Sequence, residues 1–444
     1  MSATFSLWRL LRRRGASSTD PQRLTTVLAV IAFAVATALL LVVLGGVGAF
    51  VERADAPGAN SDAELYVTLA LMAAGLLLVP LSALGGAAAR LAVARRDARL
   101  AALRLAGATT GQVATLTVLD AASQALLGAM AGVLGYLALV PVVAQVRFQD
   151  RTFGLGELWT GVPVLLAAVL GVVLVALTSA VVSLRRVAIT PLGVANRVRT
   201  RGLSWGRVAI ALVAVLGFSV VTMSGRATVA VIGMVLVLGF LTLNLVGPFT
   251  IWLIGKVTAA RARTVPTLLA GRRMVDDPKT AWRSVGGVAL ATFIASLTSM
   301  SALMTHTPDS SPEDRIFLTD LATGGYLTLT IAGLLAAVST GVMQAGQVIG
   351  QRDQYRALSL AGTDLAVLDA ARMRETVIPL VVSVGTTASF ALLFMVPIAA
   401  FLGLSLVDSA VVPLQLAASV LAAGALVLAG SAASRSVVRG VVAA

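Results

Sequence analysis

The chain has 444 residues, of which 58% are hydrophobic and only 12% are charged, and its mean hydropathy is +0.94. This is more apolar surface than one water-soluble core can hide, so the composition predicts an all-α membrane protein. The net charge of +14 does not indicate nucleic-acid binding, because the basic residues flank apolar segments. The sequence contains no cysteine and one histidine, His306. Disulfides and thiolate metal sites are therefore excluded, and no histidine-based metal or catalytic centre is expected.

About 20 apolar residues are needed for a helix to span the hydrocarbon core of a membrane. About ten segments meet this requirement, near residues 24–50, 64–94, 115–146, 158–184, 206–224, 227–255, 284–305, 316–349, 375–403 and 409–434. The first is too long for the core of a cleaved signal peptide, so it is interpreted as a retained span. Residues 1–23 before it form a predicted amphipathic cytoplasmic segment, since Trp and Leu alternate with Arg there.

The basic residues lie mainly on one side of the predicted membrane. If the amino terminus is cytoplasmic and the spans alternate, both termini are cytoplasmic, and all but five of the 34 basic residues lie on the inner side. The five on the outside are Arg53, Arg147, Arg151, Arg226 and Arg315. This asymmetry follows the positive-inside rule for short loops. The external loops are also short, so no large extracellular domain is expected.

An internal repeat divides the chain. LRLAG at 103–107 recurs as LSLAG at 358–362, and Asp120 and Glu375 are separated by the same offset. The repeat predicts a first four-helix unit at 24–200, two linking helices at 201–260 and a second four-helix unit at 261–444. Corresponding helices are six spans apart, an even number, so the units have the same orientation, unlike the inverted repeats of many secondary transporters.

Each repeated loop contains basic residues with an aspartate, then a short run that can form a helix, and then a glycine. Gly107 and Gly362 are expected to end these short helices, and Thr109 or Thr110 to cap the following span. A basic turn that only fixes topology would explain a single copy of such a loop. The recurrence favours a short amphipathic helix lying along the inner membrane surface.

The first loop, RRDARLAALRLAGATTGQV at 95–113, resembles the loop between the second and third helices of FtsX-like ABC-transporter permeases, the class that includes MacB. The second loop, QRDQYRALSLAGT at 351–363, resembles it less closely. Ten spans with two helices between the units are similar to the BceB-type arrangement. Members of these groups carry a large external domain after helix one or between helices seven and eight, whereas this chain has only short loops at both places.

In that family the loop is a coupling helix that docks on a separate ATP-hydrolysing subunit. The resemblance therefore implies two copies of an ABC ATPase subunit as partners, which would bind ATP and Mg²⁺, and no cofactor in this chain. The candidate contacts with the ATPase are Arg96, Asp97, Leu103, Arg104, Gly107, Arg352, Asp353, Leu358 and Gly362.

The chain itself does not have the sequence of an ATPase. A phosphate-binding loop requires Gly-x-x-x-x-Gly-Lys-Ser/Thr, and neither of the two lysines, Lys256 and Lys279, lies in that pattern. The chain is therefore expected to be a transport subunit and not an enzyme.

Few polar residues lie within the predicted spans. Asp120 and Glu375 occupy equivalent places near the inner ends of the third and ninth spans, where each could neutralise an arginine such as Arg104 or Arg372. This structural pairing is favoured over a role in proton or substrate movement. Hydrogen bonds between helices are expected from four amides, Asn244, Gln124, Gln344 and Gln347. The Gly128-x-x-x-Gly132 pattern is expected to permit a close helix contact.

The leading hypothesis is a non-catalytic permease subunit of an ABC transporter that exports or extracts an amphipathic lipid, peptide or drug. One alternative is a protein that transmits force or a signal from the ATPase to an external partner. Another is a secondary transporter driven by an ion gradient, which would need central buried acids. The strong preference for Arg over Lys is typical of high-GC bacteria, so a bacterial plasma membrane is the expected location.

Overall fold

The computed structural model describes residues 21–57, 62–94, 109–189, 229–304, 312–350 and 365–401, together with 360–362 and isolated positions between 206 and 217 and between 417 and 425. This part of the chain is almost entirely helical, which confirms the all-α prediction. Seven of the described helices are long and apolar enough to cross a membrane. The predicted spans at 206–224 and 409–434 fall mostly outside the described residues, as does the amphipathic segment 1–23.

Nine helices and a two-stranded hairpin are described. They are α1 (Pro21–Asp55), α2 (Ala63–Ala94), α3 (Thr110–Val143), β1 (Arg147–Phe148), β2 (Arg151–Thr152), α4 (Gly161–Ile189), α5 (Val229–Ala260), α6 (Val265–Asp276), α7 (Pro278–Met304), α8 (Pro312–Gly350) and α9 (Leu365–Phe401). We call the end of the bundle that carries β1 and β2 the hairpin end. The opposite end, where α2 stops and α3 starts, is the loop end.

Several helix starts follow directly from the sequence. Proline occupies the first position of α1, α7 and α8, where its missing N–H removes no helical hydrogen bond. Before α7, the carboxylate of Asp277 accepts a hydrogen bond from the backbone N–H of Thr280 at 3.1 Å. These caps fix where α7 begins at the loop end.

The helix α7 lies at the centre of the described bundle. Its residues from Val285 to Ala295 are almost all buried, including Thr292, and it packs against α8, α9 and α5. The span predicted from the sequence at 284–305 lies in this helix. A helix surrounded by protein needs less apolar surface than one facing lipid, which accounts for its buried threonines and serines.

The helix α4 shows the opposite pattern. Leu166, Leu170 and Leu174 on this helix are each at least half exposed, and such a leucine-rich surface is suited to contact with lipid. The exposed leucines therefore place α4 at the periphery of the bundle, whereas the buried α7 lies at its centre.

The two halves of the chain share an order of packing. α1 packs extensively against α2 and α3, and α7 packs in the same way against α8 and α9. The halves meet where α8 contacts α2 and α1. This shared order of packing supports the proposed duplication. The boundaries of the four predicted segments, 1–23, 24–200, 201–260 and 261–444, stay a prediction.

Gly128 and Gly132 on α3 face α1 at very short range. A Cβ at Gly132 would lie 2.6 Å from the carbonyl oxygen of Ala34, and one at Gly128 would lie 2.9 Å from that of Val30. The close helix contact predicted from the Gly128-x-x-x-Gly132 pattern is therefore confirmed. The glycines allow the backbones of α1 and α3 to approach each other.

Candidate functional site

The first repeated loop is anchored at its second end by a capping box. The Thr109 hydroxyl accepts a hydrogen bond from the Gln112 N–H at 3.3 Å, and the Gln112 side-chain oxygen accepts one from the Thr109 N–H at 3.0 Å. The predicted cap at Thr109 is thus confirmed. The candidate coupling residues Arg96, Asp97, Leu103, Arg104 and Gly107 lie outside the described residues.

The second repeated loop connects α8, which ends at Gly350, to α9, which begins at Leu365. Gly362 has a φ of +84°, a left-handed conformation in which glycine commonly ends a helix. This agrees with its expected role as a helix stop. Arg352, Asp353 and Leu358 lie outside the described residues, so their assignment to an ATPase contact stays a prediction.

Near this second loop, α9 is tied to the short helix α6. Glu375 forms an ion pair with Arg273 at 2.9 Å, and Arg374 donates hydrogen bonds to the hydroxyls of Thr264 and Thr267 at 2.6 Å. The sequence suggested Arg104 or Arg372 as partners of the intramembrane acids, whereas the ion pair of Glu375 in the structure is formed by Arg273 of α6. Asp120 is half-buried on α3, at the position that corresponds to Glu375.

Two of the four predicted interhelical amides, Asn244 and Gln344, make the expected contacts. The side-chain oxygen of Gln124 is buried without a hydrogen-bond partner in the described part of the chain, and the Gln347 side chain lies outside the described residues. Asn244 on α5 accepts a hydrogen bond from the Trp282 indole on α7 at 3.1 Å, and Gln344 on α8 donates one to Thr376 on α9 at 2.6 Å. Both join helices across the bundle. They are structural ties that fix the relative positions of α5, α7, α8 and α9.

A large apolar cavity lies between the two halves at the hairpin end. Its volume is about 370 Å³, and α1, α2, α7 and α8 supply most of its wall. Representative lining residues are Met72, Leu76, Leu297 and Leu327. A cavity with this lining accommodates a hydrocarbon chain or another apolar group. The sequence contained no signal for it, because its wall combines residues more than 200 positions apart.

A cluster of aromatic side chains lies against the cavity at the hairpin end. Phe50 stacks on Tyr66 and makes edge contacts with Phe148 and Phe153, and Tyr66 contacts Phe317 across the halves. We call these five aromatic residues the aromatic cap. Four of them line the cavity directly, so movement of the cap would change access to the cavity.

Arg53 holds the hairpin beneath this cap. Its guanidinium is nearly inaccessible, with 2% of the side chain exposed, and lies 2.7 Å from the carboxylate of Glu157. It also donates to the carbonyl oxygens of Phe148 and Thr152 at 3.1 Å and lies over the ring of Phe153. From the sequence, Arg53 was only an exception to the predicted topology, whereas the structure shows that it organises the loop between α3 and α4.

Asp320 joins the halves at the edge of the cavity. It is 6% exposed, and its Oδ2 accepts hydrogen bonds at 2.7 Å from the Tyr66 hydroxyl on α2 and the Gln149 backbone N–H in the hairpin. We call this arrangement the Tyr66–Asp320 latch. It connects α2 of the first half to α8 of the second, next to the aromatic cap.

The replacement Tyr66→Phe is expected to lower the free energy of unfolding by about 1.5–3 kcal/mol, since a buried hydrogen bond to a carboxylate is lost while the ring stays in place. Denaturation in mixed micelles would measure the change. Thr319→Val is the matched control, because the Thr319 hydroxyl is exposed and bonds only within its own helix to the Arg315 carbonyl oxygen. Equal losses in the two variants would contradict a specific contribution of the latch.

Comparison with known protein families identifies the part of the chain that contains the first repeated loop. Residues 71–191 match the family model for the FtsX-like permease C-terminal domain. The chain carries an FtsX-like permease domain. No match was found among curated proteins or among solved structures.

The region that matches the FtsX-like permease domain begins within α2 and ends just after α4. It therefore includes the 95–113 loop on which the resemblance was first based, and the capping box at Thr109. Together with the seven long apolar helices of the described part of the chain, this domain indicates a multi-pass membrane protein. The wall of the cavity combines this domain with helices from the second half.

Proposed function

We propose that this FtsX-like permease couples ATP hydrolysis by a separate ATPase to the export or extraction of an amphipathic substrate. The observation that carries the proposal is the apolar cavity between the two halves. In this assignment the cavity receives the apolar part of a lipid, peptide or drug, and two ATPase subunits bind ATP and Mg²⁺. The chain lies in a bacterial plasma membrane with both termini in the cytoplasm.

The shape and lining of the cavity support this kind of substrate. Most of the wall is aliphatic, and Asp320, Thr298 and Thr328 add a few polar groups. A mainly apolar pocket with a small number of polar groups is typical of a site that orients an amphipathic molecule. Since the wall comes from both halves, a relative movement of the halves would compress or open the cavity.

The coupling end of the mechanism rests on the two repeated loops. At the loop end, one loop connects α2 to α3 and the other connects α8 to α9, and both α2 and α8 line the cavity. An ATPase that drew these loops together would move α2 and α8 as rigid bodies. The Tyr66–Asp320 latch and the aromatic cap would then be the contacts that separate at the far end.

The first experiment tests the partnership with an ATPase. The tagged full-length chain, isolated from its host membranes, is expected to retain an ABC ATPase in a ratio of two ATPases to one permease. The double variant Gly107→Val/Gly362→Val should lose the ATPase while remaining folded, whereas Gly171→Val should keep it, because Gly171 has open space around it on α4. A chain that retains no ATPase would overturn the proposal.

The second experiment tests the cavity. Ala73→Trp should fill it, and Leu71→Trp on the exposed side of the same helix serves as the control. In proteoliposomes with the ATPase, the first variant should lose transport of a fluorescent phospholipid while the second keeps it. If Ala73→Trp has no effect on any transported substrate, the alternative of force transmission to an external partner is favoured. Transport that continues without ATP and stops without a proton gradient would indicate an ion-driven transporter.

A further inference from the structure

A second cavity lies in the loop half of the bundle, and we propose that it binds the headgroup of an acidic phospholipid. Its volume is about 490 Å³, and it lies between α2, α5, α7 and α8. It is separate from the cavity at the hairpin end, since the two share no lining residue. This inference concerns a lipid site and does not depend on the proposed transport function.

The mouth of this cavity is positively charged. Lys279 and Arg283 line it from the first two turns of α7, four residues apart and both exposed. Neither forms an ion pair with another residue in the described part of the chain. Among the residues that line the cavity there is no aspartate or glutamate. The nearby Asp277 carboxylate accepts a hydrogen bond from the Thr280 N–H at the helix start.

The position of the two cations on α7 adds to their effect. The amino-terminal end of a helix carries a partial positive charge, and Lys279 is the second residue of α7. A phosphate between Lys279 and Arg283 would therefore meet two full charges and the favourable end of the helix dipole. A singly charged phosphodiester is the anion that matches this arrangement and also carries hydrocarbon chains.

The interior of the cavity provides both polar and apolar surface. Trp282 is 2% exposed and its indole N–H is held by Asn244, which gives the cavity a rigid wall. Pro248, which also lines the cavity, has no N–H to donate to the carbonyl oxygen of Asn244. Val79, Leu245 and Leu335 offer apolar contacts for the first part of an acyl chain.

The location favours a membrane lipid over a soluble anion. The loop end is the expected cytoplasmic side, and basic pockets between helices on that side are a recurring way to bind acidic headgroups. Ser82 is exposed at the lining of the cavity on α2, so the cavity reaches the surface of the bundle beside the two cations. A lipid could place its phosphate at the mouth while its chains remain in the bilayer.

The test uses the full-length chain in detergent, mixed with equal amounts of phosphatidylglycerol and phosphatidylcholine, and native mass spectrometry to count bound lipids. The wild type is expected to prefer phosphatidylglycerol. Lys279→Gln/Arg283→Gln should reduce this preference by roughly tenfold or more, because each basic residue near an acidic headgroup adds to its binding. The control is Arg261→Gln/Arg263→Gln, which removes the same charge from exposed positions at the same end of the bundle.

Two results would overturn the proposal: a wild type with no preference, or a control that loses as much preference as the Lys279/Arg283 variant. Displacement of phosphatidylglycerol by an equal concentration of inorganic phosphate would also overturn it, since the site would then bind the free anion.

A second measurement locates the bound lipid in the cavity. It uses a chain in which the other four tryptophans are replaced by phenylalanine, so that brominated phosphatidylglycerol can quench only the fluorescence of Trp282. Quenching that remains in Lys279→Gln/Arg283→Gln would contradict the assigned mouth. No ATPase is present, so failure here is distinct from failure of the transport proposal.

Discussion

Replacing Arg53 with methionine is expected to lower the free energy of unfolding by about 3–5 kcal/mol, the range typical when one partner of a buried ion pair is removed. Methionine keeps much of the apolar length of the side chain. The lower free energy of unfolding would therefore come from removing the guanidinium and not from creating a cavity. Glu157 would remain, 27% exposed, without the cation 2.7 Å away. The carbonyl oxygens of Phe148 and Thr152 would lose donors at the same time.

The measurement is denaturation of the purified protein in mixed micelles, with the double variant Arg53→Met/Glu157→Gln beside each single variant. The double variant should be more stable than the sum of the single losses predicts, because the neutral amide no longer leaves a charge without its partner. Arg151→Met is the matched control, since Arg151 is an exposed arginine in the same hairpin. A loss of similar size at Arg151 would show that removing any hairpin arginine is sufficient.

The Arg53 site also illustrates how far the sequence can be interpreted. The positive-inside rule assigns most arginines to one side of the membrane, but it treats each of them as a charge in a loop. Arg53 becomes buried because residues about 100 positions later fold over it as a hairpin. The sequence near Arg53 contains no pattern that predicts this burial. The same holds for Arg273 and Glu375, which are 102 positions apart.

Features that depend on neighbouring residues were predicted well. The cap at Thr109 uses a residue three positions away, and the stop at Gly362 reflects the conformational freedom of glycine. Long apolar segments also predicted the helices, since length and hydropathy are local properties. The cavities could not be predicted in this way, because an empty volume depends on how four helices cross.

The helix predicted at 284–305 reflects both its own sequence and the helices that pack around it. Its sequence is apolar enough to suggest a membrane helix, yet α7 has buried Thr292, Ser296 and Thr298, which suit a helix surrounded by other helices. The hydroxyls of Ser296 and Thr298 bond to carbonyl oxygens four residues earlier in α7. A helix that satisfies its own polar groups can be central without being the most hydrophobic.

A second large loss is expected for Gly132→Val, about 3 kcal/mol, the upper part of the range typical of overpacked sites. The first added carbon atom would lie 2.6 Å from the Ala34 carbonyl oxygen and 2.6 Å from Cβ of Thr37. Backbone atoms cannot rotate away as a flexible side chain does, so α1 and α3 would have to separate. Because α1 also packs on α2 and α8, the separation should disturb the wall of the apolar cavity.

Gly48→Val and Gly171→Val are the controls for this effect. Both glycines lie in long apolar helices, and a Cβ at either would meet no atom within 4 Å outside the neighbouring turn of its own helix. Their variants share the helix propensity of valine, so the difference from Gly132→Val isolates the helix contact. If all three variants lose the same stability in micelles, backbone propensity accounts for the effect. A loss confined to Gly132→Val, together with weaker binding of a fluorescent lipid, would show that the α1–α3 contact also sets the shape of the cavity.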